Sequence, residues 1–155
     1  MTAPENAALS AAGFREKLEG LLAGMPPKAL PLDEAALEAF CRLTGHDWPA
    51  YRARGVIPPG FFMTLTTPIM SELFIKLFVA FPKLLKGVIH TASHVEIHDD
   101  FRLSAGPFSE RLSLKQVEEK AGSKGNYFAA DFEVVLLDAG GKILASDLHQ
   151  FFMRV

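Results

Sequence analysis

The segment GFFMTLTTPIMSELFIKLFVAF, residues 60–81, decides how this chain folds. Its apolar residues fall around most of the circumference of a helix, which is the pattern of a helix enclosed by other elements. The segment is also long enough to cross a membrane, because a span needs about 20 apolar residues. Glu72, Lys76 and Pro68 interrupt it, however, and charged side chains are rare inside membranes. We therefore predict a core helix from about Phe61 and no membrane partner.

The pattern changes after this helix from a helical period to the alternation typical of strands. Residues beyond Lys86 are rich in β-branched side chains, and NYFAADFEVVLLD (126–138) alternates apolar with polar positions. DAGGK (138–142) predicts a hairpin turn before a last strand, ILASDLHQFFMRV (143–155). We predict at least four antiparallel strands wrapped around the helix, because that arrangement buries the apolar faces of both.

Two further helices are predicted before the central one. AAGFREKLEGLLAGMPP (11–27) has apolar residues at helical spacing and ends in a Pro-Pro pair. PLDEAALEAFCRLTGH (31–46) begins with acidic residues, which favour a helix N-terminus, and Gly45 suits its C-terminal cap. The predicted fold class is therefore α+β, with short helices, one long apolar helix and then the sheet.

Composition and charge narrow the class of protein. The chain has 155 residues, of which 49% are hydrophobic and 22% charged, with a net charge of −2. A chain of this length can bury one core. Its net charge is negative, so the chain is not basic enough to bind nucleic acid through phosphates. Cys41 is the single cysteine, which excludes an internal disulfide and fits a reducing compartment. No basic region followed by an apolar run marks a signal peptide, so we expect a cytoplasmic location.

Three histidines, His90, His94 and His98, are spaced four residues apart. The β-branched residues around them predict a strand, in which four residues span about 13 Å. One metal ion cannot bind ligands that far apart, so we expect no metal site there.

The order of elements and three segments resemble the hot-dog fold, and within it the MaoC-like dehydratases and R-specific enoyl-CoA hydratases. LDEAALEAFCRLTG (32–45) resembles the helix leading into that family's catalytic loop, and Gly60 resembles the glycine that opens its central helix. DFEVVLLDAGGKILASDLHQFFMRV (131–155) resembles its last two strands. The resemblance implies one hot-dog domain over residues 32–155, with residues 1–31 as an N-terminal helical extension.

Active members of that family carry an Asp-x-Asn-Pro-x-His signature after a Thr-Gly or Ser-Gly pair. Its Asp and His activate a water that adds across the double bond of an enoyl thioester. Here GHDWPAY (45–51) follows Thr44. His46 holds the Asp position without a gap, Asp47 holds it after a one-residue deletion, and Tyr51 holds the His position in both alignments. The resemblance therefore implies His46, Asp47 and Tyr51 as catalytic candidates, with the family's histidine missing.

The resemblance also implies how a thioester would be bound. In the family a backbone N–H at the start of the central helix receives the thioester oxygen, because a helix N-terminus offers unpaired donors and a favourable dipole. Gly60 holds that position, and Gly60 and Phe61 are the substrate-binding candidates there, in a Pro-Gly-Phe opening where many active members have His-Gly-Met. Arg52 and Arg54 are candidates for attracting the phosphates of coenzyme A. No cofactor is expected beyond the coenzyme A of the substrate.

Three functions are compatible with these residues. The first is a hydratase or dehydratase acting on 2-enoyl-CoA or 3-hydroxyacyl-CoA in fatty acid metabolism. The second, favoured by the missing histidine, is a non-catalytic hot-dog subunit that binds acyl groups or supports an active partner. The third is a hot-dog thioesterase using Glu72 or Asp47. A small hot-dog domain leaves one sheet edge unpaired, so we also expect a homodimer or higher assembly.

Overall fold

The structure of the chain, a computed structural model, describes residues 9–98 and 101–154. Within these residues the α-helices are α1 (Ala11–Ala23), α2 (Glu34–Thr44), α3 (Trp48–Arg54) and α4 (Phe61–Ala80). The strands are β1 (Lys28–Leu30), β2 (Val88–Ile97), β3 (Phe108–Lys120), β4 (Tyr127–Leu137) and β5 (Ile143–Met153). Short 3-10 helices, Pro82–Lys86 and Leu103–Ala105, follow α4 and precede β3.

The strands form one antiparallel sheet in the order β1-β3-β4-β5-β2. β4 shows the predicted alternation, with Phe128 and Phe132 buried and Asp131 half-buried between them. The predicted hairpin joins β4 to β5 through a turn in which Gly141 has a φ of 83°, a conformation that favours glycine. β1 is not predicted from the sequence, because three residues are too few to show an alternation.

α4 packs one side of its length onto this sheet. Ile69, Leu73 and Leu77 are fully buried and share a core cluster with residues of β4 and β5. The prediction of an antiparallel sheet around a long apolar helix is confirmed. The opposite side of α4 exposes Ile75 and Val79 by 65% and 77%, so the apolar surface extends beyond the part that the sheet covers.

α4 also has the length and composition that a membrane span requires. Its mean hydropathy is 1.4, and 33% of that stretch is buried inside the protein. The core helix of a globular domain has the same composition, and one side of α4, with Ile69, Leu73 and Leu77, lies in the core of this domain.

The N-terminal helix is part of the same core. Phe14 and Leu18 of α1 are fully buried, and the ring of Phe14 stacks on that of Phe128 with centroids 4.5 Å apart. α1 ends at Ala23 with Gly24 as its cap, just before the Pro-Pro pair, and the chain then pairs with β3 through β1.

Side-chain and glycine caps define the two helices before α4. The Asp33 carboxylate accepts a hydrogen bond from the Ala35 N–H at 2.9 Å and begins α2. Gly45, at a φ of 75°, ends α2 in the left-handed conformation, which confirms the predicted cap. Gly55, at a φ of 62°, ends α3 in the same way. These caps fix the course of the loop that holds the sequence-predicted catalytic candidates.

Candidate functional site

The three catalytic candidates of this loop all make contacts with residues close to them in the sequence. The Asp47 carboxylate accepts a hydrogen bond from the Ala50 N–H at 3.1 Å and so caps α3. The His46 Nδ1 lies 2.7 Å from the Thr44 hydroxyl oxygen. The rings of His46 and Tyr51 have centroids 5.8 Å apart. The loop thus brings the rings of His46 and Tyr51 together, and Asp47 caps the start of α3. The catalytic roles of the three residues stay predictions.

The two arginines of α3 also have partners, one on α2 and one on α3 itself. Arg52 forms an ion pair with Glu34 at 3.3 Å, and both side chains are exposed. The Arg54 guanidinium lies 5.0 Å from the centroid of the Tyr51 ring, a cation–π distance. Exposed pairs of this kind contribute little energy, so an anionic ligand could compete for either arginine.

The start of α4 is closely packed. A Cβ at Gly60 would lie 3.2 Å from the Phe40 ring, so a larger residue there would require that ring to shift by a few tenths of an ångström. Phe61 is buried and packs edge-on to Phe40 with ring centroids 5.4 Å apart. The N–H groups of Phe61 and Phe62 donate to the carbonyls of the two prolines before Gly60. Phe61 therefore belongs to the core, and the role of the Gly60 N–H toward a ligand stays a prediction.

Glu72, the thioesterase candidate on α4, lies between two lysines. Its carboxylate accepts a hydrogen bond from the Lys28 ammonium of β1, and Lys76 lies 3.8 Å away. The hydrogen bond from Lys28 lowers the pKa of Glu72. An ionised carboxylate held by two cations joins β1 to α4, which is a structural role.

A groove, here called the α4 groove, runs along α4 beside strands β2 and β5. It consists of two adjoining depressions of about 400 and about 460 Å³ that share Met70, Phe74 and His149. The first depression is lined further by Met63, Thr66, Thr67, Ser71 and Ile75. The second is lined further by Phe78, Leu84, Val88, His90 and Phe151. The lining is mainly apolar, and two imidazoles are its only ionisable groups among the residues described.

One of these imidazoles, His149, belongs to a buried polar pair on β5. Asp147 is fully buried and His149 is 6% exposed. The Nε2 of His149 lies 3.1 Å from Oδ2 of Asp147. Neither oxygen of Asp147 has a well-aligned hydrogen-bond donor among the described residues, and neither does Nε2 of His149 have a well-aligned partner. The Ser93 hydroxyl is nevertheless close enough to Asp147 to oppose the rise in its pKa. A buried carboxylate without aligned donors is costly, and such groups call for an explanation.

Strand β2 adds a hydroxyl and the second imidazole to this pair. Ser93 lies opposite His149 in the sheet register and His90 lies opposite Phe151. The register shifts between His90 and Ala92, and this bulge turns both side chains toward the buried face of β5. The Ser93 oxygen lies 3.0 Å from Nδ1 of His149 and 3.1 Å from Nε2 of His90. The result is a continuous polar cluster, here called the strand cluster, formed by Asp147, His149, Ser93 and His90.

Burial sets the protonation of the cluster. It raises the pKa of Asp147, against the opposing effect of the His149 imidazole. It lowers the pKa of His149, against the opposing charge of Asp147. Burial thus favours the neutral forms of both groups, and the neutral imidazole is the form that can accept a proton.

The sequence contains a pattern that indicates the strand cluster, although the family signature points to the loop instead. Residues Ala145, Asp147, His149, Phe151 and Met153 alternate on β5 and are all buried. An Asp and a His at buried positions of a strand indicate either a functional site or two groups that interact with each other. Sequence reasoning grouped His90 with His94 and His98, whereas the structure places His90 with Ser93. Within residues 9–98 and 101–154, no group of three or more His, Cys, Asp or Glu side chains could hold a metal ion.

Comparison with known proteins identifies relatives by structure alone. No protein-family model and no curated protein matches the sequence. The chain is similar to the ChsH1-ChsH2 complex from Mycobacterium tuberculosis, at a TM-score of 0.66 and 19% identity over 92% of each chain. It is similar to the HadBC (3R-hydroxyacyl-ACP dehydratase) complex of that organism, at a TM-score of 0.54 and 14% identity over 83% of this chain and 95% of that one. HtdX, also from M. tuberculosis, gives a TM-score of 0.56 and 17% identity over 82% of this chain and 49% of that one.

Identities of 14% to 19% establish a shared fold and nothing finer. The shared features are the long helix α4 and the antiparallel sheet that packs on it. The chain therefore has the hot-dog fold.

Proposed function

We propose that this protein binds an acyl-CoA thioester in the α4 groove and catalyses the hydration of 2-enoyl-CoA or the dehydration of 3-hydroxyacyl-CoA. The observation that carries the proposal is the apolar groove along α4 with His149 and His90 in its wall. A concave, mostly apolar site with a few polar groups is the usual form of a small-molecule site.

The dimensions of the groove suit a linear acyl chain. Its lining extends along α4 from Met63 to Phe78, about 22 Å by helix rise. Each methylene buried in such a groove adds about 0.8 kcal/mol of binding energy. The polar groups lie beside Met70 and Phe74, so a reacting carbon can lie there while the remaining chain contacts apolar residues.

The reaction class follows from the chemistry of those polar groups. Hydration of an enoyl thioester requires one group to accept a proton from water and another to deliver a proton to carbon. Two imidazoles on one wall of an apolar groove can do both. A structural neighbour, HadBC, is a 3R-hydroxyacyl-ACP dehydratase, and it supports this class at the level of the fold.

We propose that the active form is a homodimer in the cytoplasm. β2 is a ten-residue edge strand that pairs with β5 on one side only, and most of its residues are exposed. An exposed edge of this length invites pairing with another strand. Cys41 is free and buried, which fits a reducing compartment.

A second function, a non-catalytic subunit that supports a related chain, is favoured by a different observation. The loop that resembles the family's catalytic segment has Tyr51 in place of histidine, and Asp47 caps α3. Two structural neighbours are complexes, ChsH1-ChsH2 and HadBC. A non-catalytic subunit of this kind would bind acyl groups in its groove and would have no turnover of its own.

Two measurements on the purified protein test the proposal. Calorimetric titration with saturated acyl-CoAs measures binding, and loss of the conjugated enoyl absorbance measures turnover of crotonyl-CoA and longer 2-enoyl-CoAs. We expect both. Binding without turnover at any chain length would favour the non-catalytic subunit, and absence of binding would exclude both functions.

A pair of substitutions on α4 locates the binding site. Ser71 is an exposed position in the groove lining, so Ser71→Trp should fill the groove and weaken acyl-CoA binding by more than tenfold. Thr64 is exposed on the same helix and outside that lining, and Thr64→Trp is the matched control. Equal effects of the two substitutions would place the acyl chain elsewhere.

A further inference from the structure

We propose that the acid–base centre of this protein is the strand cluster, with His90 and His149 as catalytic residues and Ser93 and Asp147 as positioning residues. This inference rests on the proposed function and deepens it. It moves the chemistry from the loop that the family resemblance indicates to strands β2 and β5.

Neighbouring groups of the cluster lie within 3.1 Å of one another, and each of them can carry a proton. Asp147 Oδ2 is 3.1 Å from His149 Nε2, and His149 Nδ1 is 3.0 Å from the Ser93 oxygen. The Ser93 oxygen is in turn 3.1 Å from His90 Nε2. A hydroxyl between two imidazoles accepts a hydrogen bond from one and donates to the other, so it links their protonation states.

The geometry places both imidazoles at the α4 groove and fixes their position. His90 and His149 both line the α4 groove. The His90 ring stacks on Phe151 with centroids 4.7 Å apart, and the two imidazole centroids are 5.4 Å apart. The α4 side chains that form the opposite side of the groove are uncharged. The charged and titratable groups that act on His149 are therefore Asp147 and His90.

A purely structural role does not explain the cluster. A buried charged pair often stabilises a protein no more than apolar residues of the same size would. Asp147 has no well-aligned hydrogen bond among the described residues, and its neighbours are the Ser93 hydroxyl and His149 Nε2, 3.1 Å away. A carboxylate beside an imidazole has a clear chemical use, because it stabilises the imidazolium formed when that imidazole accepts a proton.

The reaction balances within the cluster, which is neutral overall when its one shared proton is on Asp147. The oxygen of water bonds to C3 of the 2-enoyl thioester, and the His90 imidazole accepts the proton that this water loses. The electron pair of the C2=C3 double bond moves to C2, which takes a proton from the neutral imidazole of His149, and Asp147 gives its proton to His149 in return. The extra proton on His90 then returns through Ser93 and His149 to Asp147, and the product is the 3-hydroxyacyl thioester. Dehydration follows the same steps in reverse.

The loop and the strand cluster are alternative centres. Gly60 precedes Met70, which lies beside His149 in the groove, by ten residues of helix, about 15 Å by helix rise. A thioester carbonyl at the Gly60 N–H is thus too far from the strand cluster for both to act on adjacent carbon atoms. Variants of the two centres should therefore give opposite results.

Substitution of the imidazoles tests the catalytic roles. His149→Gln and His90→Gln should each lower kcat on a 2-enoyl-CoA by at least about 10²-fold, the usual contribution of general acid–base catalysis. His98→Gln, an exposed histidine directly after β2, is the matched control and should leave kcat unchanged. Affinity for a saturated acyl-CoA, measured by calorimetry on the same variants, shows whether the groove is intact.

The positioning residues are tested by readouts that a structural role would not change. Asp147→Asn should lower kcat at least about tenfold with little change in KM. Because the charge of Asp147 raises the pKa of His149, this variant should also move the acidic limb of the pH–rate profile to lower pH. Ser93→Ala should lower kcat roughly fivefold through the loss of a hydrogen bond, and Ser93→Thr should restore most of it. If His149→Gln folds poorly, rescue of His149→Ala by free imidazole gives the same information.

The outcomes separate this inference from the proposed function. If the wild type binds and hydrates enoyl-CoA while the His90 and His149 variants keep kcat within threefold, the inference is overturned and the proposed function stands. If the wild type binds acyl-CoA without turnover at any chain length, the strand cluster has no such role and the subunit function holds. If the wild type binds no acyl-CoA, the proposed function fails and the inference fails with it.

Discussion

The imidazole of His149 lies 3.1 Å from the carboxylate of Asp147, and the two residues point the same way from one strand into the interior. Burial is nearly complete for both. The pair faces α4 across an apolar groove, and β2 supplies a hydroxyl and a second imidazole beside it. This relationship places acid–base groups where an acyl chain can reach them.

The affinity of acyl-CoA should depend on chain length. Two additional methylenes buried in the α4 groove contribute about 1.6 kcal/mol, which is about fifteenfold in Kd. Kd values for saturated acyl-CoAs can be measured by calorimetry from four carbons upward. Each additional pair of carbons should lower the Kd by up to that factor until the groove is full. A Kd that is independent of chain length would mean that the acyl chain stays in solvent.

Stability should depend on pH through Glu110 of β3. Glu110 is 1% exposed, and burial raises its pKa from 4.5 to about 7. Between these values the folded state keeps a proton that the unfolded state has lost. The contribution of this group to stability is therefore complete below about pH 4.5 and is lost as pH rises to about 7, at about 1.4 kcal/mol per pH unit.

Glu110→Gln tests this dependence because glutamine stays neutral. The variant should be more stable than the wild type at pH 8, and the difference should shrink as pH falls toward 5. Denaturant unfolding at several pH values measures it, with the exposed Glu38→Gln of α2 as control. A Glu110→Gln variant that is less stable than the wild type at pH 8 would show that this carboxylate is ionised and well paired.

Asp47 should contribute to the stability of α3 through its cap. Asp47→Ala removes the hydrogen bond to the Ala50 N–H and should lower the free energy of unfolding by about 1 kcal/mol. Asp47→Asn keeps a capping oxygen and should cost only a few tenths of that value. Equal stability of the alanine variant and the wild type, measured by urea unfolding, would argue against the cap.

The edge strand β2 should mediate self-association. We expect light scattering to give twice the chain mass of 17.0 kDa at micromolar concentration. Ile89 of β2 is 63% exposed, and Ile89→Lys should shift the protein toward the monomer because a lysine on an edge strand opposes pairing. Leu43→Lys on α2, where the leucine is 83% exposed, is the control. Wild-type protein that scatters as a monomer would contradict the proposed homodimer.

The elements with a long and regular pattern could be predicted from the sequence. α4 and β4 carry their apolar periodicity over 20 and 11 residues, and Gly45 marks a cap by its residue type alone. β1 has three residues and pairs with a strand distant in sequence, so no local pattern identifies it.

The strand cluster could be predicted only in part. The positions of Asp147 and His149 in the buried phase of β5 are visible in the sequence once the strand is recognised. Their pairing with Ser93 and His90 depends on the register of β2 and on its bulge, which are set by contacts with β5 across the sheet. Local sequence does not encode such a register shift in a recognisable form.

Two matched aspartate-to-asparagine substitutions test the central claim most directly. Asp47 is the carboxylate of the loop and Asp147 the carboxylate of the strand cluster, and kcat is measured for each variant on the same 2-enoyl-CoA. A strand-cluster centre predicts that Asp147→Asn loses at least about tenfold while Asp47→Asn stays within threefold of the wild type. A loss of about 10² in Asp47→Asn, with Asp147→Asn unchanged, would place the chemistry in the loop and contradict this account.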